Sequence, residues 1–227
     1  VRHPMYETGP CAGRRVEYGR DHRHVFHQWK VIRGADPQTY TFLDAHYARF
    51  LMPTTRGTDR GSKKRYAGLA HKTSGLTLVV RGLEAVRRDW TPLARTVQLE
   101  LLHRVFSDQP FESWLTDVVR DLRAGRLDDQ LVYRKRLRRD LDAYGDGVGR
   151  GVPLHVQAAR MRDDSHGNAT EVEYVMTIRG PSPLGKLLAP VDYEHYVQKQ
   201  LAPVCDVALL FLHTSFEKVA GAQTSLF

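Results

Sequence analysis

The sequence has little of what membrane-spanning, secreted or zinc-binding proteins need. No apolar run approaches the roughly 20 residues of a membrane-spanning helix. The opening Val-Arg-His-Pro-Met-Tyr lacks the basic start and apolar stretch of a secretory signal. Only two cysteines occur, Cys11 and Cys205, and neither flanks a metal-binding motif. We therefore expect free thiols in a reducing cytoplasm, no structural metal and no membrane partner.

Acidic residues are also in short supply. The chain has 34 Lys and Arg against 26 Asp and Glu, a formal net charge of +8. Such a surplus favours an anionic partner, because cations that neutralise phosphates release the counterions condensed on them. Apolar residues make up 41% of the 227 residues, which is enough to bury a core. Net charge alone does not identify a nucleic-acid-binding protein, so the positions of the cations carry the argument.

The first 40 residues lack a regular pattern. Residues 1–40 are polar, rich in Arg, His and Gly, and show neither the helical nor the strand period. Asp21, His22, His24 and His27 have side chains that bind metals, but their spacing fits no standard site. We predict that this segment is solvated and poorly ordered and that these four residues bind no metal.

The rest of the chain has the pattern of an α+β fold, with a small sheet before a mostly helical body. Residues 42–52 are apolar enough for a strand or the edge of a helix. Residues 64–69 and 76–80 predict two strands joined by a Lys-Thr-Ser-Gly turn. Residues 131–137 are ambiguous between strand and helix, and residues 171–178 alternate like a strand.

Helices account for the longer periodic segments. Thr91 can cap a helix that has Pro92 at its first position. A second helix is predicted from near Pro110 to a stop at Gly125, and a short one over residues 153–162. The inward-facing residues are predicted to be Leu93, Val97, Leu101 and Val105 in the first helix and Phe111, Leu115, Val118, Val119 and Leu122 in the second.

A final helical stretch is predicted toward the C-terminus. Asp192 can cap a helix that continues through Leu201. Pro203 breaks or restarts that helix, because proline lacks the N–H that a helix interior needs. The restarted helix is predicted to continue to about Val219.

The first basic stretch is Gly-Ser-Lys-Lys-Arg-Tyr-Ala-Gly at residues 61–68. On a strand, Lys64 and Tyr66 share one face, so an ammonium and a phenol could reach the same duplex. A solvated edge strand that its lysines protect from aggregation explains the same residues equally well. The residues alone leave both interpretations open.

The second basic stretch packs five cations into the six positions 134–139. Like charges this close repel one another unless an anion is present, so a phosphate backbone is a natural partner. A solvated helix face would normally carry balancing acids, and Asp140 and Asp142 come only at the end of the stretch. We therefore favour DNA as the partner of residues 134–139.

Several motifs, in order, resemble those of bacterial family B DNA polymerases of the DNA polymerase II type. Residues 63–66, Lys-Lys-Arg-Tyr, resemble the Lys-Lys-x-Tyr element of the family's palm, and residues 81–92 resemble the passage into its thumb. Residues 131–139 resemble a motif of the thumb. Further matches are residues 49–54, Tyr144, and residues 153–156, 192–196 and 200–203. The resemblance covers about residues 41–227.

The resemblance implies the C-terminal remainder of a polymerase palm at residues 41–88 and a thumb domain at residues 89–222. The α+β fold would then be a small palm-derived β-hairpin region followed by a mostly helical thumb domain. Primer–template DNA is the implied partner, held by its backbone without base readout. The predicted DNA-binding residues are Lys63, Lys64, Arg65, Tyr66, Arg87, Arg134, Lys135, Arg136, Arg138 and Arg139.

The last five residues, Gln-Thr-Ser-Leu-Phe at 223–227, resemble the peptide by which bacterial polymerases bind the sliding clamp. Leu226 and Phe227 would fill an apolar pocket while Gln223 hydrogen-bonds at its rim, with Ser225 completing the motif. A tail docked on the chain's own core is the alternative. Clamp binding would add avidity, because attachment to DNA and to a ring around that DNA act together.

The aspartates that hold the family's catalytic metals are absent from the sequence. Neither the Asp-x-x-Ser-Leu-Tyr-Pro nor the Tyr-Gly-Asp-Thr-Asp-Ser string occurs, so we predict no catalytic and no metal-binding residue, although the intact polymerase needs Mg²⁺. We expect a truncated or frame-disrupted DNA-directed DNA polymerase that binds primed DNA without extending it. The missing N-terminal polymerase portion is an expected partner. A stand-alone module that binds DNA and the clamp is the alternative.

Overall fold

The computed structural model describes residues 47–53, 65–144, 151–162 and 171–221. Several predictions fall on positions outside these ranges. They concern the segment 1–40 with Asp21, His22, His24 and His27, the cations Lys63 and Lys64, and the tail residues Gln223, Ser225, Leu226 and Phe227. Within the described ranges the fold is α+β, with two small antiparallel sheets and a set of helices packed on them. The predicted fold class is confirmed at this level.

The first sheet consists of β1 (Tyr47–Leu51), β2 (Tyr66–Lys72) and β3 (Gly75–Arg81), in the order β1-β2-β3. The predicted hairpin is confirmed, since Lys72 pairs with Gly75 around a two-residue turn. Gly75 has a φ of 103°, a conformation that residues with a Cβ rarely adopt. Residues 47–51 form a strand rather than a helix because they pair with β2.

Helix α1 (Pro92–Phe106) packs against this sheet and begins at the predicted cap. The Thr91 hydroxyl accepts a hydrogen bond from the Ala94 N–H at 3.3 Å. At the other end, Arg49 of β1 donates from Nη1 to the Phe106 carbonyl at 2.6 Å, placing a cation on the negative end of the helix dipole. The predicted apolar face of α1 is confirmed as buried: Leu93, Val97, Leu101 and Val105.

Helix α2 (Glu112–Arg123) begins two residues after Pro110 and ends before the predicted stop at Gly125. Gly125 has a φ of 72°, and a Cβ there would lie 2.9 Å from the Tyr193 hydroxyl. The backbone conformation favours glycine, and a larger residue would also displace the Tyr193 hydroxyl. Of the five predicted inward residues, three are fully buried and two pack on the core while partly exposed; the buried ones are Leu115, Val119 and Leu122.

The second sheet consists of β4 (Tyr133–Arg136), β5 (Glu171–Thr177) and β6 (Gly180–Pro183), in the order β4-β5-β6. Pairing with β5 resolves the ambiguous residues 131–137 as a strand. The Gly-Pro-Ser-Pro of β6 was not predicted as a strand, and its position at the sheet edge is the place where prolines are tolerated. Helix α3 (Leu154–Arg160) lies between β4 and β5 in sequence and packs on β5 and β6.

The C-terminal helices differ from the predicted two. Helix α4 (Tyr193–Tyr196) has the predicted cap, since Asp192 Oδ1 accepts from the His195 N–H at 3.0 Å. A π-helical turn (Val197–Leu201) joins it to α5 (Ala202–Leu209), which has Pro203 in its first turn.

The prediction of one helix to about Val219 is wrong. A 3-10 turn (Leu210–Leu212) follows α5, and the chain reverses at His213, whose φ is 58°. It restarts as α6 (Phe216–Ala220), capped by the Ser215 hydroxyl. Asp206 Oδ1 accepts from the Phe216 N–H at 2.8 Å, which ties α6 back to α5.

One apolar core joins these elements, from Leu51 in β1 to Ala220 in α6. The second sheet meets the C-terminal helices at an aromatic cluster, where the Tyr133 ring stacks on Tyr174 and Tyr196 at 5.1 and 5.7 Å. The buried Tyr196 hydroxyl accepts from the Met176 N–H at 2.8 Å. None of the helices in the described ranges is long and apolar enough to cross a membrane.

Candidate nucleic-acid interface

The second basic stretch begins in β4, at an edge of the second sheet. Strand alternation buries Tyr133 and leaves Arg134 and Arg136 exposed on the opposite face, with Lys135 half-buried. The chain then continues through the exposed Arg138 and Arg139 to a 3-10 turn (Leu141–Tyr144). The five predicted cations therefore lie along one edge strand and the loop that follows it.

Two of these cations have carboxylate partners from distant parts of the chain. Arg134 Nε donates to Glu173 Oε1 at 2.6 Å, and Lys135 Nζ lies 3.5 Å from Asp89 Oδ2. The expectation that balancing acids come only at Asp140 and Asp142 is therefore wrong for Arg134 and Lys135. Both ion pairs are partly exposed, so a phosphate could compete for these cations.

The other three cations lack such partners within the described residues. No carboxylate in those ranges lies within ion-pair distance of Arg136, Arg138 or Arg139, which we call the open arginines. Tyr144 contacts two of them: its hydroxyl accepts from the Arg138 backbone N–H at 3.0 Å, and its ring lies 4.6 Å from the Arg139 guanidinium carbon. The open arginines are thus charged, exposed and available to an anion.

Arg87 and Lys135 share one carboxylate. Arg87 donates from Nε and Nη2 to the two oxygens of Asp89, at 3.0 and 2.7 Å. Burial pushes the pKa of Asp89 upward, but the hydrogen bonds from Arg87 and the charge of Lys135 outweigh it and hold that pKa below its usual value. Asp89 therefore stays charged and links the chain before α1 to the second basic stretch.

The described end of the first basic stretch is anchored in the core. Arg65 forms an ion pair with Glu84, which is 7% exposed, and Glu84 Oε2 accepts from Gln98 Nε2 at 3.0 Å. Gln98 Oε1 in turn accepts from the Ala85 N–H at 2.6 Å. The half-buried Tyr66 ring lies 5.2 Å from that of Phe50. Sequence reasoning did not find Glu84 and Gln98, because their sequence positions give no sign of this contact.

Comparison with known proteins identifies the family. The model of DNA polymerase family B matches residues 61–208, which include all ten predicted DNA-binding residues. The chain belongs to DNA polymerase family B. DNA polymerase II of Escherichia coli (strain K12) is 45% identical over 193 residues, which cover 81% of this chain and 24% of that protein.

Two further DNA polymerases are similar at lower identity. The DNA polymerase delta catalytic subunit of Mesocricetus auratus is 34% identical over 164 residues, or 62% of this chain and 14% of that protein. A solved structure of the family B DNA polymerase of the archaeon Pyrobaculum calidifontis superposes with a TM-score of 0.53 at 26% identity, covering 73% of this chain and 22% of that one. The chain thus spans about a quarter or less of the length of these relatives.

The described residues do not fit the divalent metal pair of a family B polymerase. They contain no group of three or more His, Cys, Asp or Glu side chains close enough to hold an ion. The carboxylates beside the basic stretches, Asp89, Glu84 and Glu173, are each engaged by an arginine. No step of nucleotide transfer is therefore assigned to this part of the chain.

Proposed function

We propose that this chain is the DNA-gripping part of a bacterial family B DNA polymerase of the DNA polymerase II type, and that it holds primer–template DNA by its phosphate backbone. The observation that carries this proposal is the row of open arginines at the edge of the second sheet. Exposed guanidinium groups without carboxylate partners in the described structure suit phosphate oxygens, which they can bind in a bidentate manner.

Backbone contacts of this kind suit a polymerase. They fix the position of the duplex without reading its bases, as an enzyme that copies any sequence requires. Residues 41–88 would be the end of the palm and residues 89–222 the thumb. Lys63, Lys64, Arg65 and Tyr66 would meet the duplex near the primer end, with Arg87, Arg134 and Lys135 adding contacts as their carboxylates exchange for phosphate.

The chain alone would bind DNA without extending it. Both aspartate strings of the family are absent from its sequence, so Mg²⁺-dependent transfer needs a polymerase portion that carries them. This portion is the partner that we propose for the palm side, in the bacterial cytoplasm where the DNA lies. A module that occupies DNA and the clamp without chemistry is the second candidate.

The decisive experiment measures binding and synthesis separately. Fluorescence anisotropy with a labelled primed duplex between 50 and 200 mM salt should give a log K that falls linearly with log[salt]. Primer extension with Mg²⁺ and all four nucleotides should give no product. Salt-independent binding would contradict the DNA-gripping role, and extension that survives repurification would contradict the inactivity of the isolated chain.

The tail 223–227 supports the clamp as a further partner. Its Gln-x-Ser-Leu-Phe pattern offers two large apolar anchors and an amide to a pocket. The chain reaches this tail from α6, which packs beside α2 and is fixed by the buried Phe216, whose N–H donates to Asp206 Oδ1 at 2.8 Å. The tail would therefore start from a rigid point beside α2.

Surface plasmon resonance with an immobilised bacterial clamp tests this partner. The variant Leu226→Ala with Phe227→Ala should lose clamp binding and keep its affinity for primed DNA. The variant Thr224→Ala, at the position that the motif leaves free, should bind as the unaltered chain does. Equal clamp binding by both variants would contradict the assignment and favour a tail that docks on its own core.

A further inference from the structure

Tyr144 lies beside the open arginines, in a turn that is held against helix α3. It ends the 3-10 turn Leu141–Tyr144 and is half-buried, so its ring is held from one side by the protein. The His155 ring of α3 meets it edge-on, at 6.3 Å between centroids. Arg160 of the same helix donates to the Leu141 carbonyl at 3.3 Å. The turn that carries Tyr144 is therefore fastened to α3 at two points.

Tyr144 contacts the basic loop in two different ways. Its hydroxyl accepts from the Arg138 N–H at 3.0 Å, which fixes the backbone where the chain enters Arg138. Its ring faces the Arg139 guanidinium at 4.6 Å, within the range of a cation–π interaction. One side chain thus restrains both the loop and the head group of Arg139.

An aromatic partner differs from a carboxylate in one important respect. A carboxylate would orient Arg139 and also cancel its charge, as Asp89 does for Arg87. A ring attracts the guanidinium through its quadrupole while the net charge stays at +1. Stacking also occupies a face of the planar guanidinium and leaves its N–H edges free for the oxygens of a phosphate.

We propose that Tyr144 is a positioning residue for phosphate binding, which holds Arg139 in place without neutralising it. This inference rests on the proposed function, since it assigns to DNA the anion that Arg139 meets. Holding the arginine in advance reduces the side-chain entropy that is lost when the phosphate binds. Removing Tyr144 should therefore weaken DNA binding through Arg139 and not through the fold.

A double-mutant cycle on the full chain tests the proposal. The variants are Arg139→Ala, Tyr144→Leu and the double variant, measured by anisotropy with a labelled primed duplex over 50–200 mM salt. Arg139→Ala should reduce the slope of log K against log[salt] by about 1, the loss of one phosphate contact. Tyr144→Leu should reduce it in the same direction, and the double variant should show little beyond Arg139→Ala alone.

Tyr193→Leu is the matched control. Tyr193 is also half-buried and its hydroxyl donates to Asp128 Oδ2 at 3.2 Å, but no contact joins it to the open arginines in the described structure. It should keep the salt slope of the unaltered chain. Thermal unfolding of each variant separates lost folding from lost binding.

Tyr144→Phe provides the conservative variant. It keeps the ring against Arg139 and loses only the acceptor for the Arg138 N–H, so its salt slope should stay close to that of the unaltered chain. If Tyr144→Leu does not fold, the salt slope of Tyr144→Phe still tests the proposal. A slope lowered as much by Tyr144→Phe as by Arg139→Ala would overturn the stacking role, as would fully additive effects in the cycle. If the unaltered chain shows no salt-dependent binding, the proposed function itself fails.

Discussion

The described cations beside the first sheet and the last three cations of the second basic stretch stand in different electrostatic settings. Beside the first sheet, the described cations Arg65 and Arg87 each meet a carboxylate, and Arg65 belongs to a network that reaches the core. Along the edge of the second sheet, the open arginines face solvent without such partners in the described ranges. The number of cations in a sequence is therefore a poor measure of the charge that a fold leaves available.

The sharpest test of this contrast removes the open arginines together. Changing Arg136, Arg138 and Arg139 to Ala should reduce the salt slope of binding to primed DNA by about three, with an affinity loss of order 100-fold or more at low salt. A matched variant changes Arg120, Arg123 and Arg126 to Ala, which removes the same formal charge from arginines that already have carboxylate partners. Equal losses of affinity and salt slope in the two variants would mean that net charge alone, and not the lack of carboxylate partners, determines DNA binding.

Changes in the buried network that Arg65 joins should alter the stability of the fold rather than DNA binding. Gln98 is 1% exposed and its amide hydrogen-bonds to Glu84, to the Ala85 N–H and to the Val204 carbonyl at 3.1 Å. Gln98→Leu leaves the Ala85 N–H and the Val204 carbonyl without this partner and removes a hydrogen bond from Glu84, so it should lower the free energy of unfolding by about 2–3 kcal/mol. The salt slope of DNA binding should be unchanged below the unfolding transition. Gln109→Leu, at an exposed position after the same helix, is the control for denaturant unfolding.

Acid should destabilise the aromatic cluster beside the second sheet. The half-buried His195 shares a 2.9 Å hydrogen bond with the Tyr133 hydroxyl. Burial lowers the pKa of His195 below the usual 6.5. Below about 6.5 the unfolded chain then binds more protons than the folded one. Stability should fall as the pH drops through this value, until His195 protonates in the folded state.

Melting temperatures at pH 7.5 and 5.5 check this effect. His195→Gln should show a smaller drop than the unaltered chain, because its side chain does not titrate. His71→Gln, exposed on β2, should show the full drop. An equal drop in melting temperature in the unaltered chain and in the His195→Gln variant would mean that other groups cause the acid sensitivity.

The smallest effect concerns Asp89, the carboxylate that Arg87 and Lys135 share. Asp89→Asn frees Arg87 and Lys135 for phosphate and should tighten binding to primed DNA about two- to fivefold, the scale of an exposed ion pair. Asp140→Asn removes an equal charge close to the open arginines without breaking an ion pair in the described structure, and should change affinity less. A weaker Asp89→Asn complex would mean that Asp89 positions these cations for DNA.

Local chemistry made much of the fold predictable. The Lys-Thr-Ser-Gly turn, the Thr91 and Asp192 caps and the apolar stripe of α1 each depend on residues close in sequence, and each prediction is confirmed. Other features were not predictable. The two prolines make β6 look like a loop, although it pairs with the adjacent strand β5 around a two-residue turn. Nothing near His213 in sequence indicates the chain reversal.

The candidate site also has some features that the sequence predicts and others that only the fold shows. The run of cations at 134–139 is visible in sequence, and so is its suitability for phosphate. Which of these cations stay available depends on Glu173 and Asp89, which lie 39 and 46 residues away from their partners. Tyr144 could have been noticed as an aromatic residue shortly after the run, but only the folded loop brings its ring against Arg139.

The π-helical turn Val197–Leu201 contributes to the fold through the number of its residues as well as through its buried side chains. It sets the rotational phase between α4, whose Tyr196 reaches the second sheet, and α5, whose apolar stripe packs on α1. Each residue of an α-helix advances the phase by about 100°. Loss of the exposed Gln198 or Lys199 would turn that stripe away from its partner, whereas substitution of either would leave it in place. Alignments of related chains should therefore show freedom of sequence at these two positions and no freedom of length.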